Sequence, residues 1–120
     1  MKTSELTGAA LDWAVAKCEG GTGFWYDSVA TYWITIDGKD RALSKGWAKS
    51  YQPSTDWAHG GPIIEREKII VCYDTCQPRW VGCDWAAQLT EFGPTPLIAA
   101  MRCYVASKLG DEIKLPEELK

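Results

Sequence analysis

Apolar residues recur along the chain in two rhythms, one of helical spacing and one of strict alternation. Leu11, Ala14, Val15 and Cys18 fall on one face of a helix. Thr7 stands where an N-cap belongs, Leu6 and Leu11 are spaced as a hydrophobic staple, and Gly20-Gly21 permits a left-handed stop. This predicts a helix over about 8–19, with Trp13 off its stripe and placed to cover a neighbouring loop. A second helix, over about 96–109, has Thr95 as N-cap, Pro96 at its first position and Gly110 as its stop. Its stripe is Leu97, Ile98, Met101, Tyr104, Val105 and Lys108 or Leu109.

The alternating rhythm marks strands. Thr31 to Ile36 has strong strand propensity, with Asp37-Gly38 as the turn after it. From Glu67 to Tyr73, Ile69, Val71 and Tyr73 point one way while Lys68, Ile70 and Cys72 point the other. Asp74 to Pro78 reads as a turn, and Arg79 to Trp85 as the returning antiparallel strand. Residues 42–50 read equally well as a short helix or a loop, beyond a dense aromatic cluster at Phe24-Trp25-Tyr26. Tyr51 to Pro62 holds two prolines and an adjacent glycine pair, which predicts an ordered loop. The expected fold class is α+β. A small antiparallel sheet, made of the hairpin over about 66–85 plus the strand near 31–36, packs against the two main helices. Residues 1–120 form a single globular domain, with the tail 111–120 loosely docked and Glu117 to Lys120 fraying.

Composition narrows the function classes. Hydrophobic residues make up 46% and charged residues 24%, as in an ordinary globular domain. No apolar run approaches the roughly 20 residues that span a bilayer, and Met1 to Glu5 lacks the apolar core of a signal peptide. The expected location is the cytoplasm, with no membrane partner. Net charge is −3 and the basic residues are scattered, so duplex nucleic acid is not an expected partner. Seven tryptophans are more than one small core readily encloses, since each buried indole N–H needs an acceptor. Some should line a pocket or an interface.

Three segments, ELTGAALDWAVAK near the start, YQPSTDWAHGGPIIERE in the middle and FGPTPLIAAMRCYVASKLG toward the end, resemble the NinX-type proteins of tailed phages and prophages. The resemblance implies a phage or prophage origin, an accessory role outside the virion and, with it, the cytoplasm of the host cell. It carries over no catalytic or binding residues. The family name refers to a phage gene region that includes recombination and regulatory accessories.

The residues themselves offer little catalytic chemistry. His59 is the one histidine, with Asp56 near it and Ser54 or a cysteine as nucleophile, but a lone loop histidine is more often solvated than catalytic. Cys72-x3-Cys76-x6-Cys83 lacks the paired knuckles of a zinc ribbon, and an odd count of five favours free thiols with a buried structural role. Glu65 and Glu67, two apart on a strand, would share a face and could hold a metal; an ion-paired edge with Arg66 and Lys68 is the preferred reading. No phosphate-loop motif is present. Gly60-Gly61 reads equally as an anion-holding nest or a tight turn. No catalytic residue, metal or cofactor is assigned.

A non-catalytic binding module for a small nucleotide-like ligand is the leading expectation, in the setting of countering host defence signalling. Trp57, with Tyr51 or Trp25, would stack on a heterocycle; Gly60, Gly61 and Arg66 would hold an anionic group; Asp56 or Glu65 would accept from hydroxyls or an amine, with His59 alongside. The alternatives are a protein-interaction module inhibiting a host protein and an accessory factor in phage DNA recombination or replication. Exposed aromatics would also serve a homo-oligomer, or stack on single-stranded nucleic acid.

Overall fold

A computed structural model describes residues 1–26, 32–36, 38–43, 50–86, 88–116 and 119, with the side chains at 23–26 and 32 outside that description. The architecture is α+β. A short 3-10 turn, Thr3–Glu5, leads into α1, Gly8–Cys18. Three strands follow: β1 Thr22–Tyr26, β2 Tyr32–Ile36 and β3 Lys39–Ala42. Then come α2 Trp57–Glu67, β4 Ile70–Asp74, β5 Arg79–Asp84, β6 Leu89–Gly93 and α3 Pro96–Leu109.

The strands form two antiparallel sheets, ordered β1-β2-β3 and β4-β5-β6. The expectation of one sheet, joining the hairpin to the strand near 31–36, is therefore corrected. Each group of strands is contiguous in sequence and pairs with its own neighbours, which closes short loops rather than long ones. The hairpin turn at 74–78 forms where expected: Asp74 accepts from the Cys76 N–H at 2.9 Å and from Arg79 Nε at 3.0 Å. Its third strand is β6. The proposed short helix or loop at 42–50, the aromatic side chains at 24–26 and Asp37 lie largely outside the described residues. Gly38 adopts φ +77 just before β3, as a turn glycine should.

α3 lies at the centre. Leu97 and the run Ala99 to Ala106 are buried, so the helix is enclosed on all sides rather than along the single stripe its sequence suggests. Thr95 caps it by accepting from the Ile98 N–H at 3.1 Å, with Pro96 at the start of the helix. Its backbone presses onto the second sheet. A Cβ at Gly82 would stand 2.6 Å from the Ala99 carbonyl oxygen, and one at Gly93 2.7 Å from the Ala99 nitrogen. Arg102 is buried here, donating from Nε to the Leu6 carbonyl at 2.9 Å and from Nη1 to the Phe92 carbonyl at 2.7 Å. Burial lowers its pKa, but two carbonyl acceptors keep the guanidinium satisfied.

α1 begins after Thr7, whose side chain makes no cap bond, and ends before Gly20 at φ +86. Trp13 is buried in the core with Leu11, Val15 and Met101, which corrects its expected place over a loop. Ile34 and Ile36 bring the first sheet to the same core. At the other end of the chain, Ile113 donates to the Met1 carbonyl at 2.9 Å, Lys2 bridges Glu112, and Leu115 is buried. No helix of the described residues is long and apolar enough to cross a membrane.

The glycine contact yields a direct test. Gly82→Ala forces a methyl group into the α3 backbone, which cannot yield as a flexible side chain could. Overpacking of this kind costs roughly 1–3 kcal/mol or more, so the urea midpoint should fall accordingly. An unchanged midpoint would mean that α3 does not sit on this sheet.

Candidate functional site

The middle segment is half loop and half helix. Residues 50–56 form the ordered loop. Tyr51 donates its N–H to the Ala42 carbonyl at 2.6 Å, and Ser54 donates its N–H to Asp12 at 2.9 Å. From Trp57 the chain turns helical, which corrects the loop expected through Pro62. Asp56 is the N-cap, accepting from the Ala58 N–H at 2.9 Å. Pro62 is carried inside α2, and Lys68 closes the helix in a left-handed conformation at φ 56.

Helical structure removes the anion nest proposed at Gly60 and Gly61. The Gly60 N–H already bonds to the Asp56 carbonyl at 2.9 Å, and its missing side chain serves packing instead. A Cβ there would lie 2.5 Å from the Pro53 carbonyl oxygen and 2.6 Å from Leu97 Cδ2. Glu65 and Glu67 are likewise helical, not on a strand, so they do not share a strand face. Glu65 is exposed, and Glu67 pairs with Arg66 and Lys108.

Trp57 and Arg66 are not brought together. Nine residues of helix separate them by ~13.5 Å and half a turn of rotation. Trp57 is exposed in the first turn, beside a cavity lined by Ser54, Thr55, Thr95, Pro96 and Leu97. Arg66 is engaged elsewhere. It donates to both carboxylate oxygens of Glu19, at 3.0 and 2.6 Å, and to Glu67 at 2.9 Å. Tyr104 donates its hydroxyl to the same Glu19 at 2.5 Å. Burial first, and then Glu19, push the Tyr104 phenol well above its ordinary range.

What the fold does gather is Tyr51, Gln52, Asp56 and His59, joined by Arg41 from β3. Arg41 Nη2 lies 3.2 Å from His59 Nε2, and the Gln52 N–H lies 3.1 Å from Nδ1. The Tyr51 ring is tilted against His59 at 5.4 Å, and the Arg41 guanidinium lies over Tyr51 at 5.3 Å. Burial pushes the Tyr51 phenol upward and the His59 imidazole downward. The Trp25 side chain, offered as a partner for this stack, lies outside the described residues. Next to the cluster, Gly8, Ala9, Asp12, Leu43, Gln52 and Thr55 line a small cavity of about 110 Å³. Sequence reading missed Arg41 and Asp12, because only the fold brings β3 and α1 to this loop.

A second surface was also missed. α3 covers the face of the second sheet that carries Gly82 and Gly93, and strand alternation puts Ile70, Cys72, Val81, Cys83, Thr90 and Phe92 on the other. Ile70 is 49% exposed, and Trp85, at the end of β5, is 79% exposed. Cys83, Trp85, Gln88 and Thr90 line a cavity of about 210 Å³ there. The charges on this face, Asp74 and Arg79, pair with each other, and the guanidinium stacks 3.6 Å from the Phe92 centroid. The signal was present in β4, where Ile70 and Cys72 alternate with Val71 and Tyr73 so that both faces carry apolar residues.

The cysteines are free thiols. Cys103 is buried, burial pushing its pKa up to about 12, but Cys72 and Cys76 are exposed, contrary to the buried role expected of them. Among the described residues, no three histidine, cysteine or acidic side chains group to hold a metal ion.

Asp12 gives this region a pH signature. Burial raises its carboxyl to about 6, against the pull of its hydrogen bonds from Ser54. A folded-state pKa above the unfolded value favours the protonated protein. The stabilising contribution is complete below about pH 4 and is lost as pH rises through 6, by on the order of 2–3 kcal/mol. Asp12→Asn keeps an acceptor for Ser54 and removes the ionisation. Its urea stability should exceed that of the parent at pH 7 and should lack the parent's decline between pH 4 and 6. Parallel curves for the two proteins would contradict this assignment.

Comparison with curated proteins returns no match. A family model described as "Bacteriophage P22, NinX" matches residues 2–108. The match runs from the first turn through almost all of α3, and with it the loop, α2 and both sheets, so the chain belongs to the bacteriophage P22 NinX family.

Proposed function

We propose that this phage-family protein is a non-catalytic protein-interaction module, and that its docking surface for a host protein is the outer face of the second sheet. The observation that carries this reading is a face opposite α3 on which Ile70 and Trp85 are exposed beside part-buried Val81 and Phe92, with no helix of the described residues packed over it. Exposed apolar patches on a folded domain mark interaction sites, and tryptophan is enriched among their anchors. The charges of the face neutralise each other, so the matching surface is itself apolar and uncharged at its centre. The cavities beside Gln52, Trp57 and Trp85 lend less support to the nucleotide-like ligand. They measure about 110 to 210 Å³, against roughly 300 Å³ or more for pockets that enclose such molecules. Trp57, Gly60, Gly61 and Arg66 also do not converge. A role in countering host defence agrees with a host partner but draws no support from any single residue.

The test compares the parent protein, the Ile70→Ser/Trp85→Ser double variant and a Trp57→Ser control in capture from host lysate, followed by binding measurements with the recovered protein. Parent and control should bind alike. The double variant should bind at least about thirtyfold more weakly, as expected when an anchor worth about 2 kcal/mol is removed, with an unchanged melting temperature. Equal binding by all three would refute the reading. Self-association of the parent, lost in the double variant, would assign the face to a second copy instead. A thermal shift with nucleotides that Trp57→Ser abolishes would restore the small-ligand reading.

A further inference from the structure

His59 is the one histidine of the chain, and two N–H donors are aimed at its ring. A neutral imidazole offers one acceptor nitrogen and one N–H, and a protonated one offers no acceptor. The ring therefore cannot accept from both donors. Which nitrogen accepts follows from which donor is immovable. The Gln52 N–H belongs to a backbone held on both sides, by the Tyr51 bond to Ala42 and the Ser54 bond to Asp12. Nδ1 thus accepts from Gln52, and Nε2 carries the proton, directed at the Arg41 guanidinium. Burial, the larger influence, and Arg41 both oppose protonation of the ring, while Asp56 favours it; the balance lowers its pKa.

Two donors, one of them cationic, then meet at one place without an acceptor between them. Arg41 makes no ion pair among the described residues. Asp40 precedes it on β3, on the other side of the strand, where it accepts from the Thr35 hydroxyl at 3.0 Å. Asp56 lies at the Nδ1 edge of the ring, 3.7 Å away, with its other oxygen capping α2. The guanidinium lies over the Tyr51 ring, 5.3 Å from its centroid. Water could accept the Nε2–H, but it brings no charge to the guanidinium. An oxyanion satisfies both.

We propose that Arg41 and the Nε2–H of His59 form a two-donor site for a single oxyanion group, phosphate or carboxylate. The site lies apart from the outer face of the second sheet and does not depend on it. Its ligand bonds to one side chain of β3 and one of α2, with Tyr51 behind them, so binding should tie the first sheet to α2.

The single histidine makes the test clean. The ring nitrogens of 15N-labelled full chain are followed by NMR during titration with inorganic phosphate and, separately, acetate, with chloride as the ionic-strength control. The unliganded protein should show the Nε2-protonated tautomer. Phosphate or acetate should move the Nε2 signal saturably, in the millimolar range, while chloride does not. A stronger response to phosphate assigns the group to phosphate esters, and a stronger response to acetate assigns it to carboxylates. Arg41→Ala should keep the tautomer and abolish saturation; Arg41→Lys should retain a weaker response. Should the alanine variant lose the parent's amide spectrum, Arg41→Gln repeats the measurement with planar donors and no charge. The proposal fails if the proton is on Nδ1, if neither oxyanion exceeds chloride, or if loss of the Arg41 charge leaves the response intact.

Discussion

The backbone of α3 rests directly on the second sheet, and this close approach organises the rest of the molecule. It is possible only because Gly82 and Gly93 present no side chain to the helix. With one side of α3 pressed to the sheet, its others are left to α1, α2 and the N-terminal turn, and the helix is buried all round. A charged residue inside such a helix must find its acceptors on neighbouring backbone, as Arg102 does at Leu6 and Phe92. The same arrangement explains the exposed face. One helix covers one side of a three-stranded sheet, and β4 and β5 carry apolar residues on both.

Local signals in the sequence were read well where local physics decides. Thr95, Pro96 and Gly110 delimit α3, and Gly20 ends α1, because caps and left-handed stops act over a few residues. The turn at 74–78 forms for the same reason. The local signals over α2 conflict. Gly60, Gly61 and Pro62 argue against a helix, yet Asp56 caps one and Leu97 needs the space that Gly60 leaves. Tertiary contact outweighs propensity there. The separation into two sheets was hidden because β6, Leu89–Gly93, was not recognised as the third strand of the hairpin.

The candidate site was half legible. Tyr51, Asp56 and His59 lie within one turn and loop, so their proximity could be read from spacing. Arg41 and Asp12 reach the same place only through the packing of β3 and α1, which no local pattern reports. Arg66 shows the opposite case. It looked available for an anion, but Glu19 and Glu67 already supply three short bonds, and its pKa rises for that reason. A guanidinium so occupied joins helices together instead of greeting a ligand.

That junction constrains motion. Glu19 at the end of α1, Arg66 in the last turn of α2 and Tyr104 within α3 meet on one carboxylate. Swinging α2 away would part the half-exposed Arg66 guanidinium from Glu19 and leave that carboxylate with the Tyr104 hydroxyl alone, so the junction opposes an outward movement of the helix.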